Sequence, residues 1–151
     1  MGQRVTWLEE TLREEVPLTR HMGLRLEEQG DRKLVVQASL TSNVNIHGTA
    51  FGGSLFSICA IACWGALHLS FTRAGLAAHS VLGRASIDYA RPVRGDFEAC
   101  CELPGDGAFE TFMDRLGQGR RTPLELVAEV REKDRVAAVF RGTYSAFTDQ
   151  R

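Results

Sequence analysis

A short polar loop precedes a pair of glycines and a long apolar run in the stretch SNVNIHGTAFGGSLFSICAIACWGAL, residues 42–67. An Asn amide can orient a water or hold a carbonyl, and a His can accept a proton near neutral pH. We therefore predict catalytic roles for Asn45 and His47, which both lie in this loop. Asn also commonly bonds the backbone of its own turn, and we favour that use for Asn43.

Gly52 and Gly53 begin the apolar run, where a helix is expected to start. The first N–H groups of a helix have no intrahelical acceptor, the helix dipole adds positive charge, and glycine lets a carbonyl approach closely. We predict that the Gly53 N–H, with Ser54, forms an oxyanion hole, and that Ser57 holds a water. A tight turn against a strand would explain the glycines equally well, and Ser57 could instead bond its own helical turn.

Six segments are predicted as strands, and all except GLRLEEQG, a short strand, alternate apolar and polar residues with the period of a strand. Such alternation is typical of an antiparallel sheet that is covered on one face. In the third segment we expect Val81, Ala85, Ile87 and Tyr89 to share the buried face. The segments are GLRLEEQG, KLVVQASL, HSVLGRASIDYARP, DFEACCEL, PLELVAEVREK and RVAAVFRGTYSAF.

Three helices are predicted, at about residues 6–15, 53–71 and 108–117. The first has Thr6 and Glu9 at the spacing of a capping box. The second lies in a stretch, residues 34–72, that contains no Asp, Glu, Lys or Arg, so it is apolar enough to cover the sheet. It is also long enough to cross a membrane, but its internal Ser and His residues and the half-exposed strands around it favour a core helix.

The predicted fold is therefore α+β, with a curved antiparallel sheet of five to six strands around one long central helix. Residues 1–151 are expected to form a single domain. A sheet covered by one helix leaves strand edges exposed, and two copies can cover them by pairing edge to edge. We therefore expect a homodimer or a dimer of dimers.

Charge and cysteine usage restrict the class of partner. The chain has a formal net charge of −1 and no basic patch, so we expect neither a nucleic-acid nor a membrane partner. Its four cysteines, Cys59, Cys63, Cys100 and Cys101, lack metal-ligand spacing. We expect no metal and no redox cofactor, and reduced thiols in a cytoplasmic protein. The N-terminal residues lack the apolar core of a secretory signal, which fits that location.

Two motifs resemble those of the hotdog-fold thioesterase superfamily. GTAFGGSLFSICAIACWG resembles the start of the hotdog helix. SIDYARPVRGDFEA is similar to the third-strand signature of hotdog acyl-CoA thioesterases, an aromatic residue followed by Arg-Pro-Val-x-x-Gly-Asp. NVNIHGTAFGGSL, with Trp64-Gly65 and the closing GTYSAF, looks most like the thioesterase domain that follows an acetyltransferase domain in some proteins.

The resemblance implies the hotdog fold and a thioesterase that acts on acyl-CoA or an acyl-carrier-protein thioester. The thioester would be hydrolysed in a groove beside the central helix, between subunits, with coenzyme A as part of the substrate. Arg91 and Arg94 would meet the phosphates of coenzyme A. The residues expected to contact substrate are Asn43, Thr49, Gly52, Ser54, Arg91 and Arg94.

The chain departs from many hotdog thioesterases at one place. Those enzymes carry an Asp or Glu on the central helix about two turns past the paired glycines, whereas residues 57–61 here read SICAI. The missing carboxylate keeps a non-catalytic acyl-CoA-binding domain as the alternative, and His47 keeps a hotdog dehydratase as a weaker one. Asp88 is expected to be solvated or paired with Arg84 or Arg91.

Overall fold

The computed structural model describes residues 2–149, which form one antiparallel sheet and three α-helices. The sheet has seven strands in the order β1-β2-β3-β5-β6-β7-β4, one more than the upper number predicted, because a two-residue strand is added at one edge. The strands are β1 Gln3–Arg4, β2 Arg25–Gln29, β3 Lys33–Ala38, β4 Ala78–Tyr89, β5 Phe97–Glu102, β6 Thr122–Glu132 and β7 Arg135–Thr148. The helices are α1 Thr6–Glu15, α2 Gly52–Arg73 and α3 Ala108–Gly117, with a 3₁₀ turn at Pro17–His21.

Helix α2 packs across the inner face of the curved sheet and contacts β3, β4, β5, β6 and β7. Its buried side chains recur at the three- and four-residue spacing of a helix face, and they meet the inward-facing residues of the strands. Gly65 allows a close approach, because a Cβ at that position would lie 2.6 Å from the Leu34 side chain. This arrangement confirms the predicted hotdog fold.

The length and apolar character of α2 would also suit a membrane span. However, 61% of its most apolar 18-residue window is buried inside the protein. The helix is therefore the core helix that the sequence favoured.

Strand β4 forms one edge of the sheet and contains a bulge at Gly83. The extra residue shifts the alternation of side chains by one position. Leu82, which pairs with the inward-facing Tyr144, therefore shares the inner face with Ala85, and Val81 points outward with 47% of its surface exposed. The prediction that Val81 lies on the buried face was wrong, because the bulge reverses the parity of the strand.

The predicted capping box at the start of α1 is not formed. Val5 is the N-cap, and Thr6 makes no capping hydrogen bond. Glu9 instead lies buried under the helix, where its carboxylate accepts two hydrogen bonds from the Arg4 guanidinium, each 2.9 Å long. It also accepts one from the Leu26 N–H at 3.2 Å, which fastens α1 to β2. The local spacing was right for a cap, but the Arg4 guanidinium, five residues earlier, binds the carboxylate more strongly than a backbone N–H of the cap would.

We predict that Glu9→Gln lowers the free energy of unfolding by about 2 kcal/mol at pH 7, because it leaves a buried charge-assisted pair broken. Burial alone would raise the pKa of Glu9, but the Arg4 hydrogen bonds and the Leu26 N–H outweigh it and lower that pKa. A lowered pKa stabilises the fold above the ordinary Glu range, and the benefit is lost as pH falls through the folded-state pKa.

Urea denaturation at pH 7 and at about pH 3 measures this difference. The difference in the free energy of unfolding between wild type and Glu9→Gln should be smaller at the lower pH. Glu10→Gln changes an exposed carboxylate on the same helix and serves as the matched control. Equal stability of the Glu9 and Glu10 variants at pH 7 would contradict the assignment.

Candidate active site at the start of the central helix

The loop before α2 is a small hairpin that is tied to two other parts of the chain. Val44 and Ala50 form a bridge pair, and the Phe51 N–H donates to the Asn43 carbonyl at 2.7 Å. The Ala50 N–H donates to the Val93 carbonyl at 2.9 Å. The segment after β4, which carries the ARPVRGD motif, therefore holds the loop against the start of the helix.

Asn45 closes this loop with its side chain. Its Oδ1 accepts from the His47 N–H at 2.8 Å and the Thr49 N–H at 3.1 Å, and its Nδ2 donates to Thr49 Oγ1 at 2.8 Å. Within residues 2–149, the second Nδ2 hydrogen has no acceptor and could reach a water or a carbonyl. The hydrogen bonds of Asn45 and Thr49 therefore stabilise the loop, and one amide hydrogen of Asn45 remains available to bind a water or a substrate.

His47 lies at the exposed tip of the loop, beside Ile46, which is 95% exposed. Its backbone N–H is bound to Asn45, whereas its ring has no hydrogen-bond partner in the described part of the chain. Both ring nitrogens are therefore open to a water or a substrate. Val44 and Phe51 are also exposed, so a single chain leaves apolar side chains around this tip uncovered.

Asn43 is buried beneath the loop rather than facing a substrate. Its Nδ2 donates to the carbonyls of Met22 and Ser39, both at 2.8 Å. The sequence favoured a bond to the backbone of its own turn, whereas Asn43 ties the loop to two carbonyls outside it, one of them 21 residues earlier in the chain. Its Oδ1 has no partner among residues 2–149.

The first turn of α2 presents two free backbone donors. The Ser54 N–H is taken by the Phe51 carbonyl at 2.9 Å, whereas the N–H groups of Gly52 and Gly53 have no backbone acceptor among the described residues. Gly53 is exposed, and a Cβ there would lie 2.5 Å from the Phe51 ring. The donor pair is therefore Gly52 and Gly53, and Ser54 does not add a backbone N–H to it.

Ser57 follows one turn later, and its hydroxyl donates to the Gly53 carbonyl at 2.9 Å. This is the bond within its own turn that the sequence left open as an alternative. The hydroxyl oxygen can still accept a hydrogen bond from a water, but its proton is engaged.

Tyr89 belongs to the same region, although the sequence indicated only a buried-face position for it. It is the last residue of β4, and its hydroxyl donates to the Gly52 carbonyl at 2.7 Å. A Cβ on Gly52 would lie 3.3 Å from that hydroxyl oxygen, so the ring rests against the start of the helix. The sequence signal that could have identified Tyr89 as a site residue was its place as the aromatic residue of the third-strand motif.

Arg91 and Arg94 flank Val93, the residue that binds the loop, and both side chains are exposed. Neither guanidinium forms an ion pair within residues 2–149. The Arg94 backbone N–H is held by the Glu132 carboxylate at 2.8 Å, which positions the segment. Two free cationic groups therefore lie on the segment that binds the loop.

Asp88 is exposed on β4, and within residues 2–149 it forms no ion pair with Arg84 or Arg91, so it is solvated among the described residues. Among residues 2–149, no group of three or more His, Cys, Asp or Glu side chains could hold a metal ion. Cys59 is buried in the core, and burial raises the pKa of its thiol, which disfavours the thiolate that a metal would need.

One cleft against the sheet does not coincide with this site. It measures about 460 Å³ and lies on the outer face, lined by polar and charged residues that include Gln37, Glu98 and Arg131. A charged lining is unsuited to an acyl chain. The start of α2 combines free donors, an exposed imidazole and apolar surroundings, and it is the better candidate.

Comparison with known proteins gives a consistent result. A family model described as "Putative thioesterase (yiiD_Cterm)" matches residues 5–148. A protein of unknown function from Chlorobaculum tepidum is 25% identical, with a TM-score of 0.87 over 95% of this chain and 94% of its own. A structure described as a putative thioesterase from Shewanella oneidensis is 26% identical, with a TM-score of 0.85 over 94% of this chain and 96% of its own.

A thioesterase from Haemophilus influenzae shares the fold at 16% identity, with a TM-score of 0.71 over 93% of this chain and 90% of its own. The family model spans the loop, the paired glycines, the third-strand motif and the closing strand. The chain therefore belongs to this thioesterase family of the hotdog-fold superfamily, as its two motifs indicated.

Proposed function

We propose that the protein hydrolyses the thioester of an acyl-CoA or an acyl-carrier protein. The observation that carries the proposal is the pair of free N–H groups at Gly52 and Gly53, at the exposed start of an apolar helix and in the same loop region as an unpaired imidazole. Two such donors, aided by the helix dipole, stabilise the negative charge that develops on a carbonyl oxygen under attack.

In the proposed reaction, water attacks the thioester carbonyl carbon and the carbonyl electrons move to oxygen. The Gly52 and Gly53 N–H groups bind that oxyanion, and the His47 ring accepts the proton of the water. The tetrahedral intermediate then re-forms the carbonyl, the carbon–sulfur bond breaks, and the departing thiolate takes the proton from His47. The products are a carboxylic acid and a free thiol.

Asn45 has two parts in this scheme. It holds the loop through Thr49 and the His47 backbone, and its remaining amide hydrogen holds the attacking water or the substrate. No carboxylate on α2 is available for that task, because residues 57–61 are uncharged. The general base must therefore come from the loop before α2 or from a strand of the sheet.

The uncovered side of α2 supports an acyl groove along the helix. Ser57, Ile61, Trp64 and His68 are partly exposed at successive helical turns. The Trp64 and His68 rings stack with a centroid distance of 4.8 Å. This stripe runs from the free N–H groups along an apolar surface, which is the surface that an acyl chain would bury. The free guanidiniums of Arg91 and Arg94 would bind the phosphates of coenzyme A.

We predict that His47→Ala and Asn45→Ala each lower turnover on the best thioester by about 10²-fold, the range that a positioned base or water contributes. Turnover is measured as the release of free thiol from a panel of acyl-CoA and acyl-carrier-protein thioesters. The same panel shows which of the two carriers the protein prefers. For His47→Ala, affinity for a non-hydrolysable acyl-CoA should change little.

His79→Gln is the control, because His79 is exposed near the start of β4 and pairs with Asp149. If Asp88→Asn abolished turnover while His47→Ala did not, the base would lie on β4. Tight acyl-CoA binding without any thiol release would favour the non-catalytic binding domain. Reversible hydration of an enoyl thioester would favour the dehydratase.

A second copy of the chain is part of the proposal. β4 is a 12-residue edge strand with most of its residues exposed, whereas the opposite edge is only the two-residue β1. A long unpaired strand edge is a ready template for pairing with another strand. Pairing of two β4 edges would extend the sheet and cover the apolar residues around Tyr89 and the His47 loop.

We predict a species of at least twice the 16.7 kDa chain mass in sedimentation velocity at micromolar concentration. A dimer is the smallest closed assembly that removes both exposed β4 edges. A species at the chain mass over this range would contradict the dimer and would also leave the groove open on one side.

We further propose that the reaction needs no metal or redox cofactor and that the protein works in the cytoplasm, where its buried thiols stay reduced. Turnover should therefore be unchanged after dialysis against EDTA. Loss of turnover that returns with added zinc would contradict this prediction.

A further inference from the structure

We propose that Tyr89 is a positioning residue of the thioester site, which aligns the Gly53 N–H toward the developing oxyanion. The inference rests on the proposed function and adds a residue to its machinery. Tyr89 does not need to touch the reacting atoms, because it acts through the peptide that links Gly52 to Gly53.

The geometry of that peptide is the first step. The Gly52 carbonyl and the Gly53 N–H belong to one planar unit and point in opposite directions. The Tyr89 hydroxyl donates to the carbonyl oxygen at 2.7 Å, so it limits rotation of the whole unit. Glycine on both sides would otherwise leave this peptide freer to rotate than any other in the first turn.

The second step is electrostatic. The α-helical pattern directs the Phe56 N–H at the Gly52 carbonyl, so the tyrosine is an additional donor to the same oxygen. Hydrogen bonds to a carbonyl polarise the peptide and strengthen its own N–H as a donor. Partial burial raises the pKa of Tyr89 above its ordinary value, so the hydroxyl keeps its proton at neutral pH.

The third step is the anchoring of Tyr89 itself. The residue pairs with Ala138 at the end of β4, and the Ala90 and Arg91 N–H groups that follow it both donate to the Ala137 carbonyl. Its backbone is therefore held by the sheet. Through its hydrogen bond, the hydroxyl holds the first peptide of α2 in place relative to that sheet edge.

Tyr89→Phe removes the hydroxyl and keeps the ring that rests on Gly52. We expect kcat to fall roughly tenfold with KM nearly unchanged, because the effect acts on the transition state through one hydrogen bond. The amide nitrogen of Gly53 should also change its NMR chemical shift, because the hydrogen bond to the preceding carbonyl is lost.

Tyr144→Phe is a closely matched control. The Tyr144 hydroxyl also donates to a carbonyl of α2, that of Ala60, at 2.9 Å, but two turns farther along the helix. We expect this variant to lower Tm and to shift the amide of Ile61, while kcat and the Gly53 amide stay at their wild-type values.

A wild-type kcat in Tyr89→Phe, or a loss of kcat equal to that in Tyr144→Phe, would overturn the positioning role. So would an unchanged Gly53 amide. If the wild-type protein released no thiol from any thioester, the proposed function would fail, and the Gly53 shift would still decide whether Tyr89 controls this peptide.

Discussion

Burial of α2 against the inner face of the sheet is the contact on which the rest of the structure depends. Residues from five strands meet one helix, and each large aliphatic side chain that this contact buries contributes about 1.5–3 kcal/mol. A charge inside the contact would have no partner and would be costly, which explains why α2 contains none before Arg73 at its end. Gly65 brings the helix close to Leu34, so the position of α2 across the strands is well defined.

That contact also determines where the chemistry can occur. Once the body of α2 is buried, its polar ends are the places where backbone groups remain free, and the N-terminal end lies beside β4 and the ARPVRGD segment. The loop of residues 43–51 is bonded to Val93 and to the helix start, so it is part of one rigid cluster rather than a separate flap. A site made from backbone donors needs this rigidity, because misdirected N–H groups would not stabilise an oxyanion.

The missing helix carboxylate changes how such a site could work. A carboxylate on α2 would face a nearly dry surface and could act as a strong base. Without it, residues 58–64 on this helix are all apolar. The neighbouring Ser57 hydroxyl already donates its proton to the Gly53 carbonyl of its own turn. In the proposed mechanism, proton transfer then falls to the exposed His47 imidazole on the loop, whose orientation a single chain does not fix. A second subunit over the loop would supply both the orientation and the exclusion of water.

The sequence by itself determined the elements and their order. Period-two alternation located five of the seven strands, and a sixth was predicted as a short strand that ends at Gly30. The absence of charge located the central helix, and the motifs identified the superfamily. These signals are local or are carried by short contiguous segments. The sequence also placed the paired glycines at the helix start. Local spacing has no information on which distant group reaches a given atom, and the errors are of that kind.

Tertiary structure decided the remaining features. Glu9 binds Arg4 and Leu26 instead of capping its helix, and Tyr89 reaches the Gly52 carbonyl across 37 positions in the chain. The bulge at Gly83 places Val81 on the other face, since one unpaired residue reverses the alternation. The Tyr89 contact depends on how the sheet curves around α2, because that curvature brings the end of β4 to the first turn of the helix.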